Sequence, residues 1–301
     1  MNLEARTFLW FPADGSPPLN LTDRAGGYRL LAGATGLDMV TYTYSERRSP
    51  GQVGVTTTAV RPEARDMVLP FIIQAADPVE LRQRTQALIR SMRPTRGPGR
   101  LQVIQPSGES RWLTAKYMEG LEGSEARDAK LPGRWYRSAL KLRADAPYAR
   151  TQPITVSWSL APTGRGWFPT IPIQLTPSGI AGRKTVLNPG DVDTHSIITV
   201  RGPGEQLIVR HRGTGRAAHL NYRIPDSGDA VTPRPEGVVI IDTAAKTIVN
   251  GYGANLFRYL TDEDPSLFPL LPGTNPIEVQ LQSASRNSSV SMTFAPLFES
   301  L

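Results

Sequence analysis

Apolar and polar residues alternate along most of the chain, and a helical period shows clearly once. Near the end, Ile277, Val279 and Leu281 are separated by Glu278 and Gln280, the period of two that places one face of a strand in a core. A second run follows in which Val290, Met292 and Phe294 are separated by Ser291 and Thr293. The polar connector between them, Ser283 to Asn287, has hairpin length, so the pattern predicts a terminal β-hairpin. Ahead of it, Pro269, Pro272 and Pro276 fix φ and remove amide donors, which excludes a continuous helix. The stretch reads as a strand entry whose Leu267, Phe268, Leu270 and Leu271 plug the end of a core.

The helical period lies over residues 77–93. Asp77 and Pro78 form a start signal, with Glu80 placed to reach back to a free amide. Leu81, Thr85, Leu88, Ile89 and Met92 then share one side, opposite Arg82, Gln86, Arg90 and Arg93, until Pro94 and Gly97 stop the helix. Before it, Met67 to Ala75 reads as a strand whose Pro70 calls for an edge position or a bulge. After it, two strands flank the Pro106 to Glu109 turn, and a third runs from Trp135 to Tyr148.

Residues 42–61 differ from these: they are polar, rich in Gly, Ser and Thr, yet carry enough Val to pair with a partner. They read as a long arm or open hairpin. A change of pattern at Ala146 to Thr155 predicts two domains, 1–150 and 151–301. In the second, short strands separated by turn signals at Arg212 to Arg216 and Asp242 to Lys246 predict an antiparallel β-sandwich.

Composition sharpens this picture. With 301 residues, 39% hydrophobic and 20% charged, the chain can fill a core, and its 27 Gly and 27 Pro imply many turns. No apolar window reaches the length of a membrane helix, and Glu4, Arg6 and Asp14 stand where a signal peptide would need an apolar run. The expectation is a protein assembled in the cytoplasm, without membrane insertion. The absence of cysteine excludes disulfides and Cys-rich zinc sites. The net charge of +7 is largely dispersed, but Arg82, Arg84, Arg90, Arg93, Arg96 and Arg100 occur between Leu81 and Gly108 with no acidic residue among them. Without interleaved aromatics or a nucleic-acid module, this segment reads as a solvated or protein-contacting basic face.

The search for chemistry yields weak candidates. His195, His211 and His219 suggest a metal triad, but no carboxylate is placed to complete it. Asp242, Asp262, Glu263 and Asp264 offer acidic pairs of the kind that cleave glycosides, yet they stand in turn contexts. A nucleophile elbow and a phosphate loop are both missing, and the Gly turns at 97–100 and 201–204 lack a strand-to-helix setting. The expectation is no enzyme, no catalytic residue, no metal and no cofactor.

Motifs in a fixed order carry a resemblance. The segment from Gly99 to Glu122, then Trp135 to Arg150, then His195 to Gly204, Gly237 to Asn255, Ser266 to Gln282 and Val290 to Phe298 resembles the distal tail proteins of long, non-contractile-tailed bacteriophages. The Ile241–Asp242–Thr243 turn and the Leu-x-Pro-Gly-x-Asn corner, Leu270 to Asn275, are its most recognisable marks. The resemblance implies a mainly β protein: an N-terminal tail-tube-like β-barrel or sandwich domain with one α-helix, then a C-terminal galectin-like antiparallel β-sandwich. It implies a homo-hexameric ring at the tail tip of the virion, joining the tail-tube protein to the tail-hub protein. The tape-measure protein would be a neighbour, receptor-binding proteins would dock on the outer domain, and DNA would pass without specific binding. Two alternatives stand beside it, a carbohydrate- or receptor-binding module with Trp158, Trp167 and Phe168 as stacking candidates, and a tail-tube subunit. Subunit-interface candidates are Tyr42, Tyr44, Arg47, Arg48, Val53 and Val55 on the arm and Arg82, Arg90 and Arg93 on the helix.

Overall fold

The computed structural model describes residues 6–122, 134–160, 179–228, 233–261 and 267–301. The chain divides into two compact units, Met1–Thr151 together with Phe298–Leu301, and Gln152–Leu297. The last four residues therefore belong with the first unit.

The first unit contains β1 (Thr7–Phe11), β2 (Leu19–Asn20), β3 (Tyr28–Leu30), β4 (Tyr42–Arg47), β5 (Thr56–Pro62), β6 (Arg65–Gln74), α1 (Pro78–Ser91), β7 (Gly99–Ile104), β8 (Ser110–Glu119), β9 (Trp135–Ala144) and β10 (Ala149–Arg150). Its main sheet runs β2-β1-β7-β8-β9-β6-β3, antiparallel where neighbours pair. Alternate residues Phe8 and Trp10, Met67, Leu69, Phe71 and Ile73, Leu101 and Val103, and Leu140 and Leu142 point to one core. The β7–β8 turn forms as expected, with Gly108 at φ +86° and the amide of Gln105 donating to the Glu109 carbonyl at 2.8 Å.

β6 is not an edge strand, since it lies between β9 and β3. Pro70 is tolerated there because of a bulge. Leu30 pairs with Phe71 and Thr35 with Val68, so five steps along one chain match three along the other. The missing Pro70 amide faces that excursion, and its carbonyl still accepts from the Leu31 amide at 2.7 Å.

α1 starts as its sequence dictates. Asp77 Oδ1 accepts from the amides of Val79 and Glu80 at 2.8 Å each, and Glu80 reaches back one residue further than expected, to the Ala76 amide at 2.7 Å. Leu88 and Met92 are buried, each contributing about 1.5–3 kcal/mol by leaving water. Two aromatic donors pin the backbone: Tyr28 donates to the Arg84 carbonyl and Trp10 Nε1 to the Ser91 carbonyl, both at 2.8 Å. Ile89, expected inside, is 44% exposed because the core is already filled by Leu88 and Met92 on the adjoining side of the turn.

The second unit contains β11 (Ile154–Ser159), β12 (Gly179–Asn188), β13 (Ser196–Arg201), β14 (Glu205–His211), β15 (Ala217–Leu220), β16 (Val238–Asp242), β17 (Thr247–Asn250), β18 (Gly273–Gln282) and β19 (Ser289–Phe294), and β20 (Leu297–Phe298) follows. Two antiparallel sheets, β11-β19-β13-β16-β17 and β12-β18-β14-β15, bury one shared core, which is a β-sandwich. Inward residues of β18 (Ile277, Val279, Leu281) meet those of β19 (Val290, Met292, Phe294) within it.

That arrangement overturns the expected terminal hairpin. β18 pairs with β12 and β14, whereas β19 pairs with β11 and β13. The Ser283 to Asn287 connector crosses between the sheets, with Ser283 at φ +53°. Leu267, Phe268 and Leu270 do plug the core, while Leu271 is 38% exposed. The corner after them is organised by Asn275, which is fully buried. Its Oδ1 accepts from the Leu271 amide at 2.8 Å, and its Nδ2 donates to the carbonyls of Leu271 and Gly273 at 2.8 and 3.0 Å. Gly273 supplies the positive φ of +86° that the turn requires.

Candidate functional site

Among the described residues β4 and β5 pair only with each other, forming a two-stranded ribbon outside both core clusters. Tyr42 lies opposite Pro62 and Tyr44 opposite Val60, so these four share one ribbon face. Tyr44 and Val60 are 58% and 51% exposed. A bulge between Ser45 and Glu46 adds twist before the tip. There Gly51 and Gly54 take positive φ, Gln52 Nε2 donates to Thr56 Oγ1 at 2.8 Å, and Val53 and Val55 are exposed with Arg47 and Arg48.

The ribbon's base is fixed by a residue from the other end of the sequence. The Tyr42 hydroxyl donates to the Glu299 carboxylate, which also accepts from the Val40 amide at 3.1 Å, and Tyr148 Oη lies 3.5 Å from Tyr42 Oη. The hydrogen bond to Glu299 is the main cause that raises the Tyr42 phenol above its ordinary value. Arg65, buried beneath, donates to the Glu299 carbonyl, and burial lowers its pKa.

The arginines of the 81–108 segment separate into two groups. Arg84 pairs with Glu80 at 2.7 Å, Arg96 pairs with Asp14, and Arg100 lies over the Phe11 ring at 4.2 Å. Arg82, Arg90 and Arg93 are exposed and have no ion pair among the described residues. The Arg84–Glu80 pair is local, at i and i+4, but the partners of Arg96 and Arg100 are out of reach of the sequence because Asp14 and Phe11 are distant along the chain.

The chemical candidates do not assemble. His211 is buried in the core, whereas His219 stands opposite Ile208 on β14 and half exposed, and His195 contacts Thr243 Oγ1 at 3.2 Å. Among the described residues no three His, Asp or Glu are grouped to hold a metal ion. Asp242 Oδ1 accepts from the amides of Ala244 and Ala245 at 2.8 and 2.9 Å, the turn role its position suggested. Asp262, Glu263, Asp264, Trp167 and Phe168 lie outside the described residues. Trp158, a stacking candidate, is a core residue, 2% exposed. No helix among the described residues is long and apolar enough to cross a membrane.

Fold and surfaces define a mainly β protein of two units with, among the described residues, one α-helix and a self-paired hairpin. That architecture matches the crystal structure of the SPP1 Dit protein, described as a paradigm of the hub adsorption apparatus in phages infecting Gram-positive hosts. The match has a TM-score of 0.61 over 97% of this chain and 99% of that one, at 15% identity. A chain of the phage P2 baseplate, in its activated conformation with Ca, is similar over 96% of this chain and 97% of its own, with a TM-score of 0.46 and 11% identity. No protein-family model and no curated protein matches the sequence. The resemblance in fold to a distal tail protein is thus borne out.

Proposed function

We propose that this protein is a structural subunit of a phage tail tip, non-enzymatic, built into the virion after assembly in the host cytoplasm. The observation that carries this reading is the fold match over nearly the whole length of both chains, which no single motif could produce. A fold does not by itself assign a function, so the surfaces must agree with it. They do: an isolated two-stranded ribbon is marginal in water, and the uncovered Tyr44 and Val60 face is what a neighbouring subunit would bury. Six copies close into a ring through a heterologous contact in which the arm, with Tyr42, Tyr44, Arg47, Arg48, Val53 and Val55, lies on the next subunit. The first unit forms the ring between tail-tube and tail-hub proteins, close to the tape-measure protein, and lets DNA pass without specific binding. The second, a galectin-like sandwich, offers a docking surface to receptor-binding components.

The test is the mass of the purified protein in solution across concentration, with electron microscopy of the largest species. A six-fold ring with a central hole is expected. A strict monomer at all concentrations that binds an oligosaccharide would overturn the reading in favour of a lectin-type module.

A further inference from the structure

The outer side of α1 carries exposed aliphatic and cationic side chains together. Val79, Arg82, Gln86 and Ile89 follow one another at intervals of three and four residues, and Arg93 continues the series just past the last turn, so all five lie along one stripe, with Arg90 beside it. Val79 is 67% exposed and Ile89 44%. Aliphatic side chains and guanidinium groups without an ion pair among the described residues thus share a face of a helix that is held on its other side by Tyr28, Trp10, Leu88 and Met92. At its C-terminal end the stripe runs into a groove of about 230 Å³ lined by Ile89, Met92, Arg93, Pro94, Tyr117 and Leu121, with Glu122 at the wall.

Charge selects the occupant. The arm of a second copy is a poor fit, since residues 42–61 carry Arg47, Arg48 and Arg61 against Glu46 alone. Among the exposed carboxylates of another copy's first unit, Asp66 is engaged with Arg143 at 3.8 Å, Asp145 with Lys116 at 2.9 Å, and Glu119 with Lys141. A nucleic-acid backbone would leave Val79 and Ile89 unused. The Glu122 carboxylate at the groove wall is held by the Tyr117 hydroxyl at 2.6 Å and the Gly120 amide at 2.7 Å.

We infer that the Val79–Arg82–Ile89–Arg93 stripe of α1 is a docking face for an acidic amphipathic segment of a different protein, with aliphatic residues on Val79 and Ile89 and carboxylates on Arg82, Arg90 and Arg93. The inference does not need the ring reading, because it concerns the binding of a foreign chain to the subunit itself.

The probe is a fluorescent amphipathic peptide with Leu on one helical face and Glu flanking it, compared with poly-L-glutamate and a short DNA duplex, by anisotropy against the full chain. The peptide is expected to bind more tightly than either control. Replacing Arg82, Arg90 and Arg93 together by Glu should weaken it by roughly tenfold or more, because three surface pairs turn repulsive. Ile89→Asp should weaken it too, while Arg183→Glu in the second unit should not, with circular dichroism showing each variant folded. Equal or tighter DNA binding lost in the triple variant would overturn the inference in favour of nucleic acid. So would an Ile89→Asp without effect, peptide binding unchanged in the triple variant, or a change in that variant's own oligomeric mass, which would mark a contact between copies.

Discussion

The Nε2 of His211 donates to the Oδ1 of Asn275 at 3.0 Å inside the sandwich core. Asn275 Oδ1 also accepts from the Leu271 amide, so it cannot be the donor, and His211 Nδ1 accepts from the Thr214 amide at 3.2 Å. One imidazole thus links the 212–216 turn to the corner ahead of β18, and the Phe268 ring meets its edge at 87°. Asn275→Leu keeps the volume but orphans the Leu271 amide and the His211 donor. It should cost about 2–4 kcal/mol, since two buried polar groups lose partners, read as a lower urea midpoint for the second unit.

The Tyr42 contact to Glu299 makes the arm depend on the far end of the chain. Tyr42→Phe and Glu299→Gln should each loosen the ribbon base, at about 1–2 kcal/mol for a charge-assisted hydrogen bond. Trypsin acting at exposed Arg47 and Arg48 reads this directly. Nicking should be several-fold faster in both variants, with global unfolding little changed.

Replacing Tyr44 and Val60 by Asp should abolish self-association without unfolding the subunit. Both side chains are already exposed, so the stability change should stay within about 0.5 kcal/mol. Sedimentation and thermal melts on the same samples separate the two effects.

Much of this was legible in the sequence because the controlling interactions are local. The Asp77 cap, the turn at Gly108 and the Asp242 turn each engage residues within four positions, so residue type and spacing suffice. The β18–β19 error has the opposite origin. A short polar connector between two alternating strands fits a hairpin and a crossing between sheets equally well, and the choice is made by β12, β14, β11 and β13, which lie far away in sequence. The partners of Arg96 and Arg100 were hidden for the same reason, since Asp14 and Phe11 lie far back in the sequence, whereas the Arg84–Glu80 pair, four residues apart on one helix, is local.

His195 gives the second unit a pH dependence. Burial, then the charge of Lys246, lowers its pKa below the ordinary 6.5. The native state therefore takes up its proton later than the unfolded chain as pH falls. The contribution of this one exposed imidazole is fully present above about pH 6.5 and is lost as pH drops through the window below it. Thermal melts from pH 7.5 to 5 should show that decline, and His195→Gln should flatten part of it.

Residues 298–301 make the first unit discontinuous in sequence. Leu301 is fully buried, and its carbonyl accepts from Arg6 at 3.3 Å and Gln105 at 2.9 Å, contacts between residues up to 295 positions apart. The second unit is a continuous stretch, whereas the first is complete only when segments separated by that whole stretch meet. The clamp of Glu299 on the arm therefore carries the loop-closure entropy of nearly the full chain, and it forms late in folding.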